Sequence, residues 1–251
     1  AALAIRVKSE SRYIFRGLRE VAPSFFLDLF NMIHNIFPTP IYTTIIKDYN
    51  KSAMIDRIHR YIKETKSCGK EASLQERLNV KSYFGDTYDG DQIHNIEEFY
   101  ELNNSIGIHT KKYLKEINVN LELLNELDIY AQKSWLIRLR SGGNVAPHTH
   151  PNAHLSCVFY IQAPEGCGKI EFLEPPTNPI FNLPLYLNQA DGVITPKDGM
   201  LIIFPSSLHH MVHNSLPNIA RYSVSYDLMC ASKMPEESVC LNPKLWKKLD
   251  K

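Results

Sequence analysis

The histidines of this chain gather in two short clusters whose spacing could support metal chemistry. The first cluster contains His148, His150 and His154, and the second contains His209, His210 and His213. Each cluster lies beside a stretch that is apolar enough for a buried strand. Residues two apart in a strand point to the same side, so His148 and His150 can face one cavity. Such a pair plus one remote imidazole would bind Fe, Zn, Cu or Ni and leave coordination positions open for chemistry.

A basic residue with a hydroxyl partner follows the second cluster. Arg221 and Ser223 are two apart in ARYSVSYDLM, so their side chains share one face of a predicted strand. A guanidinium and a hydroxyl on one face can together hold a carboxylate. The alternative is an ordinary surface arginine on an edge strand. The other histidines are interpreted as bystanders on helices or loops: His34, His59, His94 and His109.

Composition excludes several classes of protein. The chain has 251 residues, of which 44% are hydrophobic, and a net charge of +1, so it predicts a globular protein without a nucleic-acid-binding surface. The five cysteines are irregularly spaced and include no CxxC, which argues against a disulfide framework or a thiolate zinc site and favours the cytoplasm or another reducing compartment. No apolar run reaches the roughly 20 residues that span a bilayer.

The elements that must position these residues change in character along the chain. Apolar residues three and four apart predict helices over 23–37, 51–65 and 96–117, the last with Asn95 as N-cap, and residues 38–49 predict a strand. From about Gln132 onward, short apolar or alternating stretches are separated by Gly, Pro and Asn clusters. This pattern predicts an α+β protein with an antiparallel sandwich or jelly roll.

We expect one domain, residues 1–251. Its predicted parts are an N-terminal extension (1–35), a helix-rich support layer with an opening strand (36–130), a β core (131–230) and a C-terminal tail (231–251).

The motifs together resemble a known family. The order H-x-H, about sixty residues, His, ten residues and R-x-S resembles the iron(II)- and 2-oxoglutarate-dependent oxygenases. More closely, HTHPNAHLSCVFYIQAPEG, PKDGMLIIFPSSLHHMV and ARYSVSYDL are similar to one group of these enzymes, as are IFPTPIY and the SW at 134–135. The resemblance spans about residues 36–230. It implies a double-stranded β-helix (jelly roll) core with the N-terminal helices packed on the major sheet.

The resemblance also implies roles for particular residues. His148 and His150 would be the near ligands of Fe(II), His210 the distal ligand, and Arg221, helped by Ser223, would bind the distal carboxylate of 2-oxoglutarate. The substrate would be a small molecule oxidised with molecular oxygen. His150 stands where most of the superfamily has Asp or Glu, so either three neutral ligands suffice or Glu171 or Glu174 completes the site. Cys157 replaces the usual Gly and is expected to narrow the cavity.

Substrate-binding candidates come from two places. Arg138 and Arg140 share one face of the strand before the metal motif, and if that face is internal they could bind an anionic, amino-acid-derived substrate; otherwise the face is exposed. The polar segment 178–197 could form a substrate loop, with Tyr186, Asn188 and Gln189 as contacts.

Two other classes of protein compete with the oxygenase. Gly142, His148 and His150, with His210 and Asn214 later, are also similar to the two cupin motifs, which would make His154 a ligand in a metalloenzyme or metal-dependent binding protein that does not use 2-oxoglutarate. The cupin interpretation leaves Arg221 unexplained. A non-catalytic jelly-roll interaction domain would leave both histidine clusters as coincidences.

Overall fold

The fold is taken from a computed structural model. It describes residues 39–67, 80–85, 91–117, 119, 124–173, 192–232, 247 and 249. The described residues from Pro40 onward belong to one compact unit. The helix predicted over 23–37 lies outside the described residues, as do Glu174, Tyr186, Asn188 and Gln189.

Ten described strands form two antiparallel sheets. They are β1 (Tyr42–Ile45), β2 (Val80–Phe84), β3 (Leu127–Arg140), β4 (Val145–His148), β5 (Leu155–Gln162), β6 (Ile170–Phe172), β7 (Val193–Ile194), β8 (Met200–Pro205), β9 (His210–Val212) and β10 (Ala220–Ser232). The larger sheet has the order β1-β8-β5-β10-β3-β2, and the smaller has the order β4-β9-β6-β7. The predicted double-stranded β-helix is confirmed. β2 was not predicted, and β3 begins before the predicted β core.

The outer face of the larger sheet is covered by helices. Helix α1 (Lys51–Ser67) confirms the helix predicted over 51–65, and helix α2 (Tyr100–Glu116) confirms most of 96–117. Their apolar residues join those of the sheet in one buried cluster, which includes Met54, Leu102 and Phe159. The prediction of Asn95 as N-cap is wrong, because Phe99 occupies that position and the chain around Asn95 forms a 3-10 turn. None of the described helices is both long and apolar enough to cross a membrane.

Strand alternation divides the larger sheet into a helix-facing side and an inner side. On β5, Phe159 and Ile161 belong to the cluster shared with the helices. Val158 and Tyr160 belong to a second cluster, which includes residues of the smaller sheet such as Phe172. Because successive side chains in a strand point to opposite faces, this division also fixes which residues of β3 and β10 face the space between the sheets.

Candidate active site

Three of the predicted histidines converge at one end of the smaller sheet. His148 at the end of β4 lies opposite His210 at the start of β9, and His150 follows two residues after β4. Their ligating nitrogens all lie within 4.8 Å of one another. His150 and His210 are buried, whereas His148 is partly exposed. The arrangement therefore offers three imidazole nitrogens at one point with access from one side.

The outer nitrogen of each ring is already bonded. His148 Nδ1 lies 2.8 Å from the carbonyl oxygen of Ala146, and His210 Nδ1 lies 3.0 Å from that of Leu208. His150 Nδ1 lies 2.8 Å from Asp227 Oδ1. Carbonyl and carboxylate oxygens only accept hydrogen bonds, so each Nδ1 carries the proton and each neutral ring keeps its lone pair on Nε2. This is the tautomer that a histidine bound to metal through Nε2 requires.

The separation of the inner nitrogens fits a bound metal ion. His150 Nε2 and His210 Nε2 are 3.2 Å apart. Imidazole nitrogens bind transition metals at about 2.1 Å, so two of them at about a right angle lie roughly 3 Å apart. When the Nδ1 atom of each ring carries the proton, each Nε2 can present its lone pair to a cation placed between the two rings. The three residues therefore fit a single metal ion.

Aromatic side chains surround the buried pair. Trp135 stacks on the His150 ring with a centroid distance of 5.3 Å, and Phe204 meets the His210 ring edge-on at 4.8 Å. Phe172 lies 6.0 Å from His210. Burial, the largest cause, lowers the pKa of His210 to about 3 and also lowers the pKa of His148. Both rings are therefore neutral, and able to ligate, around neutral pH.

These lowered pKa values predict a pH dependence of the metal-free protein. Between the unfolded pKa of 6.5 and about 3, the unfolded chain binds a proton on His210 that the folded chain does not. The free energy of unfolding should therefore fall as the pH falls through this window. Denaturation at a series of pH values measures the slope, and His210→Asn should make it shallower. An unchanged slope in that variant would contradict the assignment.

Arg221 is the largest fully buried side chain on the inner side of the larger sheet. It is 2% exposed, its guanidinium lies 5.5 Å from the ring centre of Tyr160, and one Nη atom donates to the carbonyl of Gly168 at 3.3 Å. Its Nε has no hydrogen-bond partner, and no carboxylate in the described ranges pairs with it. Burial lowers the pKa of Arg221. An unpaired buried cation costs several kcal/mol, so this site matches an anionic ligand.

Gly168 allows its carbonyl to approach the guanidinium. Its φ of +86° lies in the left-handed region, and a Cβ there would collide with the carbonyl oxygen of His213. Ser223 is 1% exposed and lies on the same face of β10 as Arg221. The predicted grouping of guanidinium and hydroxyl is therefore present in the fold.

The inner face of β10 carries polar groups from Arg221 to Asp227. Four alternate residues are buried there: Arg221, Ser223, Ser225 and Asp227. The neighbouring inner residues are mostly apolar. This polar row begins at the unpaired guanidinium and ends at the carboxylate that contacts His150, so one strand connects Arg221 to the histidine site.

The structure does not bring Arg138 and Arg140 to the histidines. Trp135 stacks on His150 and so defines the inner face of β3. Arg138 is an odd number of residues from Trp135, so its side chain points to the opposite face of β3. There its guanidinium lies over the ring of Tyr222, on the side packed against α1. Arg140 shares the alternation of Arg138 and is exposed. Neither guanidinium is in place to bind a substrate beside the three histidines.

Three further expectations are corrected. Glu171 pairs with His213 and not with the histidine triad, because alternation on β6 points Phe172 inward and Glu171 outward. Cys157 packs in the helix-facing cluster, so it does not narrow the inner cavity. His154 accepts a hydrogen bond from the backbone of Cys230 at 3.1 Å and stands apart from the triad, which removes the ligand that the cupin interpretation needs.

The other histidines bond elsewhere. His209 is exposed, and the rings of His59, His94 and His109 bond to hydroxyl groups of Tyr222, Ser134 and Tyr42. Sequence reasoning missed Asp227 and Trp135 as neighbours of His150. The period of two from Arg221 through Ser223 and Ser225 to Asp227 is the signal that could have found the carboxylate.

A double-stranded β-helix with three convergent imidazoles and a buried, unpaired arginine defines a metal-dependent enzyme of the jelly-roll class. Residues 133–227 match a family model described as "Putative 2OG-Fe(II) oxygenase". The match covers the β core with its three convergent histidines and Arg221, and it supports a 2-oxoglutarate-dependent dioxygenase. It likewise supports iron(II) as the cofactor and 2-oxoglutarate as the co-substrate.

Solved structures are similar to this chain at low sequence identity. The non-heme alpha-ketoglutarate-dependent epimerase SnoN from nogalamycin biosynthesis is 10% identical, with a TM-score of 0.50 over 82% of this chain and 88% of that chain. An oxidoreductase of the 2OG-Fe(II) oxygenase family from Burkholderia pseudomallei is 15% identical, with a TM-score of 0.43 over 74% of this chain and 83% of that chain. A collagen prolyl hydroxylase from Paramecium Bursaria Chlorella virus-1 is 13% identical, with a TM-score of 0.45 over 75% and 94%. No curated protein matches the chain in sequence.

Proposed function

We propose that this enzyme oxidises an unactivated C–H bond of a small organic substrate, coupled to conversion of 2-oxoglutarate to succinate and CO2. In the hydroxylation outcome, one oxygen atom of O2 enters the substrate and the other enters succinate. Desaturation and ring closure are alternative outcomes at the same site. When bound, iron(II) would activate O2, and the electrons that reduce O2 come in pairs from the oxidative decarboxylation of 2-oxoglutarate and from the oxidised C–H bond. The protein supplies ligation, orientation and exclusion of water.

His148, His150 and His210 hold the iron in this proposal. Each presents Nε2 while its Nδ1–H is fixed by a backbone carbonyl or a carboxylate, which orients the ring before metal arrives. The aromatic rings around the buried pair limit the access of water. His148 is the more exposed ligand, so the substrate would approach from its side.

Arg221 is the single observation that favours 2-oxoglutarate over other co-substrates. A dicarboxylate bound to iron at one end needs a cation at the other end, and Arg221 is a buried guanidinium with a free Nε. Its fork can hold two carboxylate oxygens, and the Ser223 hydroxyl can add a third donor. A cupin-type centre or a non-catalytic jelly roll gives no reason to bury this charge.

The arginines that would favour an anionic, amino-acid-derived substrate, Arg138 and Arg140, do not face the histidines, so we propose no charge for the substrate. Tyr186, the contact expected in the substrate loop, lies outside the described residues. The support layer (36–130) and the substrate loop (178–197) remain proposals from the sequence, and β3 begins before the predicted start of the β core.

The first test is anaerobic titration of the Fe(II)-loaded protein with 2-oxoglutarate. Chelation through the keto oxygen and adjacent carboxylate should produce a weak visible charge-transfer band. Succinate, which lacks the keto group, is the matched control and should produce none. If metal binds and 2-oxoglutarate produces no band, the proposed function fails. Appearance of the band would justify a substrate screen monitored by succinate release.

A further inference from the structure

A buried carboxylate stands directly behind one of the three histidines. Asp227 Oδ1 lies 2.8 Å from His150 Nδ1, and Asp227 is 7% exposed. The same oxygen accepts a hydrogen bond from Ser156 Oγ at 3.0 Å. Ser156 Oγ in turn lies 2.9 Å from Ser206 Oγ. The carboxylate is therefore fixed by two partners and not left to rotate.

The same network returns to the backbone of His150. Its amide donates to the carbonyl of Ser206 at 2.9 Å. Both the main chain and the ring of His150 are thus tied to the group formed by Ser156, Ser206 and Asp227. Neither of the other two histidines has a carboxylate on its Nδ1, since each bonds to a main-chain carbonyl.

We propose that Asp227 is a positioning residue that supplies, through His150, the negative charge that the three imidazoles lack. The carboxylate holds the proton on Nδ1, aims Nε2 at the metal and makes that nitrogen a stronger donor. It does so from behind the ring, since Asp227 is not one of the residues whose ligating atoms converge. Lys133 lies opposite Asp227 in the β3–β10 register, with its ammonium 4.8 Å from the centre of the Trp135 ring.

This inference rests on the metal ligands of the proposed function, so its test uses metal binding without turnover. Apo protein is titrated with Co(II), and both the affinity and the visible ligand-field spectrum are recorded. Asp227→Ala removes hydrogen bond and charge, and we expect binding to weaken by about 100-fold, the upper end for the loss of an outer partner of a ligand. Asp227→Asn keeps an acceptor for Nδ1–H and loses only the charge, so we expect Co(II) binding to weaken by about tenfold.

The matched control is the second carboxylate–histidine pair of this fold. Glu171→Ala removes the carboxylate that bonds to His213 on the outer face, and Co(II) affinity should be unchanged. Wild-type affinity in both Asp227 variants would overturn the inference. If Asp227→Ala does not fold, the isosteric Asp227→Asn carries the test, and wild-type affinity in it would overturn the charge role. If wild-type protein and His210→Ala bind Co(II) equally, the ligand set of the proposed function fails instead.

Discussion

His210→Ala should abolish metal binding and turnover, whereas His213→Ala should leave most of both. Alanine at 210 removes one of three ligating nitrogens from the site where they lie within 4.8 Å. The loss should exceed the 10- to 100-fold that removal of an outer partner typically causes. Calorimetric titration of the apo proteins with Fe(II) under anaerobic conditions, followed by succinate release, measures both effects.

The neighbouring histidine provides the control for this prediction. His213 directly follows the last residue of β9, and its Nε2 pairs with Glu171 on the outer face. Both side chains are partly exposed, so the pair is worth only about 0 to 1 kcal/mol of stability. Equal loss of iron from the two variants, with their folds intact by circular dichroism, would contradict the choice of His210 as ligand.

Arg221→Met should raise the 2-oxoglutarate requirement strongly and leave metal affinity unchanged. Loss of a buried, charge-assisted pair costs about 2–5 kcal/mol, which corresponds to an increase in apparent KM on the order of 30- to 3000-fold. Arg221→Lys keeps the charge and loses the bidentate fork, so its effect should be intermediate. Steady-state succinate release at varied 2-oxoglutarate concentration separates KM from kcat.

The free energy of unfolding of Arg221→Met distinguishes a role of Arg221 in 2-oxoglutarate binding from a structural role. In the protein without 2-oxoglutarate, Arg221 is a desolvated cation with one backbone hydrogen bond at 3.3 Å. Replacing it with an apolar side chain of similar length should therefore leave the free energy of unfolding unchanged or raise it. A marked loss of stability together with a normal 2-oxoglutarate KM would make Arg221 a structural residue.

Much of the architecture follows from local sequence patterns. Apolar residues three and four apart in 51–65 and 96–117 determine α1 and most of α2, because helical periodicity needs only neighbouring residues. The strands around His148 and Arg221 follow from alternation and from the Gly, Pro and Asn turns between them. The strand β2 was missed, since Val80–Phe84 is short and lies beside polar sequence.

Residue type and local spacing also determine the chemistry that this protein can perform. Binding of a metal or a carboxylate depends on the donor groups of individual side chains, and the sequence gives these groups directly. Here they are an H-x-H pair with a remote imidazole, and an arginine two residues from a serine. A period of two ensures that His148 and His150, or Arg221 and Ser223, can act together. These features by themselves predicted the three histidines that converge in the fold and the shared face of Arg221 and Ser223.

Only the tertiary structure decided which faces and which histidines are used. Alternation predicts that Arg138 and Arg140 share a face of β3. Packing of the helices against the larger sheet determines that this face is the helix-facing side and not the inner side. The pairing of β4 with β9 brings His210, which is distant in sequence, opposite His148. The meeting of Asp227 with His150 depends on strands from the two sheets. Contacts of this kind are set by the register of distant strands, which no local pattern specifies.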